Sequence, residues 1–207
     1  MAAVDLGGVM TDLLTELAWL DDYGPLQDIF CVSFVRGLDP PEVVRRFGGV
    51  GGEQMTFGEL NNLVAEYVAQ TQGGNGGGYV GVVSSGEWSV AVEPWGWQGN
   101  LPEVVARLSK ESEVVAVNRH DYAEAHFVHA VDGTVVAGFT PCLPSRTYGS
   151  ESERLIQVMR EAGLDPGGDE RPSNPIAAAF AVAAGVTGVV FTPEMLERLL
   201  LVGDIRT

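Results

Sequence analysis

The chain is poor in cysteine, poor in positive charge and free of any long uninterrupted apolar run, and each shortage narrows what it can be. Cys31 and Cys142 are its only cysteines and stand far apart, so no disulfide scaffold is expected, and a reducing, cytoplasmic setting is. Lys and Arg number 12 against 28 Asp and Glu, a formal net charge of −16. Such a field repels a phosphate backbone, whose affinity for proteins rests on cationic neutralisation, so no nucleic-acid partner is expected. The same acidity suits a basic protein partner, and it equally serves ordinary solubility. The longest apolar stretch, residues 175–190, is Ala- and Gly-rich and shorter than a membrane span, and it reads as a buried helix followed by a short extended piece. Asp5, Asp12 and Glu16 break up the N-terminal region, which has neither a basic segment nor a continuous apolar one, so no signal peptide is expected.

What is present supports a folded core. With 207 residues and 45% hydrophobic side chains, the chain sits at the upper edge of one domain. A first helix is expected after Thr11, with Leu13, Leu14, Leu17 and Leu20 on one stripe, followed by a turn at Tyr23-Gly24-Pro25. Residues 29–35 read as a buried strand, and Asp39-Pro40-Pro41-Glu42 restarts a helix with a cap, a proline in the first turn and a capping-box glutamate. Thr56 and Glu59 form a second capping box. The run from Gly73 to Gly78 has nothing apolar to bury and is expected to be a mobile loop. Short β runs follow at 79–83, 88–92, 113–117, 123–131 and 134–139, the last two joined by Asp132-Gly133, a strong hairpin signal. Asn100 is expected to cap a helix, Pro141 and Pro144 to end the sheet, and capped helices to begin near Ser150, Asn174-Pro175 and Thr192-Pro193.

The expected fold is therefore α+β: a mainly antiparallel sheet of about six strands, helices packed on one face, and a C-terminal helical segment. Residues 1–148 would form the sheet domain with its N-terminal helix, and 149–207 the helical segment packing on it as one unit. One internal echo stands out. Residues 39–46 and 100–107 match at an offset of 61, each after a β run that ends in a loop. Either a strand–loop–helix unit is duplicated, leaving a groove between halves, or two well-capped helix starts converged on Pro and Glu.

The chemistry-bearing residues do not assemble into a known motif. His120, His126 and His129 cluster in sequence, but strand alternation sends His126 and His129 to opposite faces, so no metal centre is expected. Asp121, Glu124, His120 and His126 could meet at a strand end for acid–base work, or be ordinary solvated groups. Ser150 lacks a nucleophile elbow, Cys142 lacks an obvious base, and the glycine runs are not phosphate loops, so no cofactor is implied. The most informative segment is 88–100. Trp88, Val90 and Val92 share a core face; the chain then turns at Pro94 and sets Trp95 and Trp97 around Gly96. Loop tryptophans either serve as binding hot spots or plug one end of the core. The candidate binding residues are Trp95 and Trp97, with Glu93, Arg119 and His120 as polar neighbours.

Several stretches resemble a family of uncharacterised actinobacterial proteins. They are Phe30-Cys31-Val32-Ser33-Phe34-Val35-Arg36-Gly37-Leu38-Asp39-Pro40, Gly86-Glu87-Trp88-Ser89-Val90-Ala91-Val92-Glu93-Pro94 with Gly96-Trp97-Gln98-Gly99, Phe127-Val128-His129-Ala130-Val131-Asp132-Gly133, and Met159-Arg160-Glu161-Ala162-Gly163-Leu164. The resemblance spans most of the chain and implies a cytosolic protein of a high-GC bacterium, with no catalytic residues to carry over. That family more often carries Asn where Trp95 stands, which makes Trp95 a feature of this chain. The expected function is a non-catalytic interaction module, accessory, regulatory or immunity-type, that binds a protein partner. The alternatives are a small-molecule binder or enzyme with a closed apolar pocket near Trp97, Arg119 and His120, and a structural or oligomerising role through the C-terminal helices.

Overall fold

A computed structural model describes residues 6–21, 24–73 and 76–206, with side chains from residue 12 onward. Seven α-helices are found among them: α1 (Leu6–Leu17), α2 (Pro40–Phe47), α3 (Phe57–Thr71), α4 (Pro102–Leu108), α5 (Glu153–Glu161), α6 (Pro175–Thr187) and α7 (Pro193–Glu197). The strands are β1 (Ile29–Arg36), β2 (Val50–Met55), β3 (Tyr79–Ser85), β4 (Trp88–Pro94), β5 (Glu113–His120), β6 (His126–Val131), β7 (Thr134–Thr140), β8 (Leu143–Tyr148) and β9 (Leu200–Asp204). They form one nine-stranded sheet in the order β2-β9-β3-β4-β1-β5-β6-β7-β8, every neighbouring pair antiparallel.

The α+β class and the antiparallel pairing agree with the sequence; the strand count and the layering do not. The six expected strands are all present, and β2, β8 and β9 are added. β2 carries Gly51 and Gly52 at positive φ and a bulge against β9, so it lacks the alternation of a strand. Pro144 does not end the sheet, because β8 is its outer strand and an edge tolerates proline. The C-terminal segment is not wholly helical: β9 runs between β2 and β3. The first helix starts before Thr11, which lies inside α1, and Tyr23 of the expected turn lies outside the described residues.

Helices cover both faces of the sheet rather than one. The larger core joins Phe30, Val32 and Phe34 of β1, Val90 and Val92 of β4, and Val115 and Val117 of β5 to residues of α3, α5 and α6. α6 is apolar all round, and its small alanines admit close neighbours. Its Gly185 lies where a Cβ would stand 2.4 Å from Val158 of α5. The second core lies on the opposite face, where Val35, Ala91 and Val114 meet Val43, Val44 and Phe47 of α2 and Val104, Val105 and Leu108 of α4. β1 is buried at both parities, as a central strand with a layer on each side must be.

Local signals act as the sequence foretells at some helix starts and not at others: α5 begins after Ser152 rather than from a box at Ser150, and none of Ser152, Asn174 and Thr192 makes a side-chain capping bond. Asp39 accepts from the Glu42 amide, Thr56 and Glu59 complete their capping box, and Asp132 and Gly133 both take positive φ in the β6–β7 turn. Asn100 does not cap α4; it ends a short 3-10 turn over Gln98–Asn100, and Pro102 starts the helix. The internal echo becomes a pair of packed helices that cap each other. Arg46 of α2 donates to the carbonyls of Arg107 and Leu108 at the end of α4 and of Lys110 beyond it, and Arg107 returns bonds to those of Arg46 and Phe47. The two arginines are 61 positions apart, the offset of the repeat. Each guanidinium satisfies carbonyls that a helix C-terminus leaves unpaired.

Candidate functional site

The five candidate residues gather at the end of the sheet where β4 and β5 finish and β1 begins, but the sheet divides them between its two faces. Glu93, Trp97 and His120 lie on the α2–α4 side; Arg119 and Trp95 lie on the other. Register sets this division, since Glu93 stands opposite Cys31, Cys31 opposite Asn118, and Asn118 opposite His126 in one row. Arg119, one residue on from Asn118, stands opposite Phe30 and faces the larger core.

Glu93 is a structural carboxylate. Only 1% exposed, it accepts from the amides of Gln98 at 2.9 Å and Gly99 at 2.7 Å, and so folds residues 95–99 back over the strand end. Gly96 and Gly99 are the residues this requires: a Cβ at 96 would stand 2.6 Å from that of Glu93, and one at 99 would stand 2.4 Å from Ser33 Oγ. Burial raises the Glu93 carboxyl to about 7, against the two amides, which favour its ionised form. The neighbouring Cys31 thiol is pushed up by burial first and by the Glu93 charge second.

Trp95 is held in an unfavourable state. Its φ is +51°, left-handed backbone that costs a bulky residue about 1–2 kcal/mol and that Asn adopts more readily. Its indole is half-buried against the larger core, and Nε1 is buried with no hydrogen-bond partner among the described residues. An unpaired buried donor costs about 1–3 kcal/mol. The ring walls an apolar groove of about 460 Å³ shared with Pro25, Leu26, Val64, Ala65 and Val68. The polar residues of that lining, Gln27, Asn61 and Asn62, are uncharged amides, and Gln27 too has positive φ, +59°. Two non-glycine residues in left-handed backbone thus border one groove; strained conformations of this kind collect at ligand clamps.

The glycine run before β3 is part of this region. Gly74 and Asn75 lie outside the described residues, but Gly76, Gly77 and Gly78 are buried rather than loose, with Gly76 against both tryptophans. Trp97 contacts His120 with ring centroids 5.5 Å apart and faces an open groove of about 780 Å³ between α2 and α4. The cations that border this groove, Arg45 and Arg107, are already bonded to Glu42 and to α2 carbonyls.

Arg119 and His120 border an open polar cleft, not the closed apolar pocket that the sequence reading asked for. Arg119 is 8% exposed, grips Asp121 through two nitrogens and bonds the carbonyls of Leu20 and Asp21. His126 and His129 do face opposite ways: His126 lies in the Asn118 row, and His129 bonds Glu113 at 2.8 Å. Among the described residues, no three His, Cys, Asp or Glu side chains are placed to hold one metal ion. Among them also, no helix is long and apolar enough to cross a membrane.

Comparison with known proteins places the chain in a family. Residues 11–199 match a family of unknown function, DUF6461. The chain belongs to it. No curated protein and no solved structure matches the chain. The stretch Glu93-Pro94 with Gly96-Trp97-Gln98-Gly99 now has a physical account in this DUF6461 member: a buried carboxylate, two amides that bind it, and two glycines that let the backbone approach. Sequence reasoning named Glu93 as a neighbour of the tryptophans and missed that its bonds are spent inside the loop. It also missed α3 as the opposite wall of the Trp95 groove, because α3 and residue 95 meet only through the tertiary fold.

Proposed function

We propose that the protein is a non-catalytic interaction module that seats an apolar anchor of a protein partner in the groove between α3 and Trp95. The reading rests on Trp95 itself, a large aromatic kept at positive φ with its N–H unpaired among the described residues, beside a groove lined by apolar and uncharged side chains. The two charges of α3, Glu59 and Glu66, are acidic, and with a net −16 on the chain they favour a partner segment with Lys or Arg around its anchor. Cysteine usage and the resemblance to actinobacterial proteins support a cytoplasmic role in such a cell, of the accessory, regulatory or immunity type.

Selection of displayed peptides against the native chain and against Ala65→Glu tests this. Ala65 is an exposed α3 position on the groove, so the substitution fills the groove while adding to the acidity. Peptides with an apolar anchor and basic flanks are expected to bind the native chain and to weaken at least about tenfold against the variant. General attraction to an acidic surface would instead strengthen. Peptides that bind both proteins alike, or no peptide at all, would overturn the proposal.

A further inference from the structure

The polar cleft beside Arg119 and His120 has about 760 Å³ of volume, within the range of small-ligand sites. It opens between the β5–β6 turn, β8 and the start of α6. Seven ionised side chains line it: Arg119, Arg146 and Arg171 against Asp21, Asp28, Asp121 and Glu124. Most of that charge is already spent. Arg119 pairs with Asp121, and Arg146 with Glu124 at 2.8 Å. Asp21 accepts from the amides of Ile176 and Ala177, capping α6 from outside the helix.

Two ions remain. Arg171 has no carboxylate partner among the described residues, and Asp28 takes a single long bond, 3.3 Å, from the Tyr122 hydroxyl. His120 and Tyr122 also border the cleft. One unspent cation and one unspent anion in a cleft of near-balanced charge define the complementary ligand. An anion would leave Asp28 opposed to it, and a cation would leave Arg171 so; a molecule with both charges satisfies each. Ala125, Leu143 and Ile176 offer apolar wall for the remainder.

We propose that this cleft binds a small zwitterion of the α-amino-acid class, with Arg171 taking the carboxylate and Asp28 the ammonium. The site is separate from the Trp95 groove, and either can stand without the other. Titration calorimetry with a panel of natural amino acids, the amines left by removing their carboxylates, the corresponding acids lacking the amine, and glucose tests it. At least one amino acid is expected to bind, with its amine and its acid each at least about tenfold weaker and glucose silent. Arg171→Ala, at an exposed position outside helix and strand, should weaken that amino acid at least about tenfold, and Asp28→Asn should do the same, with the melting temperature of the free Arg171→Ala protein unmoved. Binding of no amino acid, equal binding of an amine or an acid, glucose binding in their place, or wild-type affinity in both variants would each overturn it.

Discussion

Gly77→Ala is expected to lower stability by about 3–5 kcal/mol, a large part of the total that a domain of this size holds. The reason is contact and not backbone freedom. Gly77 lies outside the positive-φ region, but a Cβ there would stand 2.1 Å from the Pro94 carbonyl oxygen and 3.2 Å from Val64. A backbone carbonyl cannot swing aside as a side chain can. Either β3 or the end of β4 must move, and the latter carries the Glu93 turn and Trp95. Gly76→Ala is the control: its φ of +69° carries the ordinary strain, about 1 kcal/mol, and its nearest neighbour is 3.5 Å away. Urea denaturation of both variants reads the difference. Equal, small losses would mean that the glycine run is the loose loop its composition suggests.

The second large effect is a fall in stability as pH rises. The Glu93 carboxyl titrates at about 7 in the folded protein and near the ordinary 4.5 when unfolded. Below 4.5 both states are protonated and the comparison is neutral. Between 4.5 and 7 the folded protein keeps a proton that the unfolded chain has lost, so stability declines through that window and levels off above it. The shift corresponds to about 3 kcal/mol. Glu42, held down to about 2 first by hydrogen bonds from Arg45 and Arg46, acts in the opposite sense, its contribution fading below about 4.5 as the pH falls. Glu93→Gln separates the two. It removes the decline between 4.5 and 7 and costs about 1–3 kcal/mol, because one of the two amides now meets an NH₂ instead of an oxygen. The check is a urea titration at stepped pH on wild type and variant. A variant with the same slope as wild type would assign the pH dependence elsewhere.

The central sheet was legible in the amino acids because its strands are β-branched and alternate, as in Trp88-Ser89-Val90-Ala91-Val92, or are apolar at every position, as in β1. That second pattern was also the clue to a helix layer on each face, since only a doubly covered strand can bury Cys31, Ser33 and Val35 as well as Phe30, Val32 and Phe34. The missing strands lacked a local signal. Gly51 and Gly52 interrupt the alternation of a strand, Pro144 reads as a sheet end, and Leu199-Leu200-Leu201-Val202 cannot be told from helix by period alone. What made β9 a strand was its place between β2 and β3, a contact across more than a hundred residues.

At the site, the residue types were legible and their grouping was not. Trp95, Trp97, Glu93, Arg119 and His120 do come to one end of the sheet, as proximity to strand ends implies. Their division between faces follows from register, and register depends on partners distant in the chain. The conformation of Trp95 was hidden altogether: indole at positive φ is not what Pro-Trp-Gly suggests, whereas Asn adopts that backbone more readily.

That contrast supplies the decisive measurement, the urea-unfolding free energy of Trp95→Asn. If Trp95 is kept for a partner and not for the core, relief of backbone strain and loss of a buried unpaired N–H offset the lost contacts of a half-buried ring, and stability stays within about 1 kcal/mol of wild type. A loss of about 3–5 kcal/mol, the usual result of truncating a core aromatic, would make Trp95 a plug in the end of the sheet and contradict the binding role assigned to it.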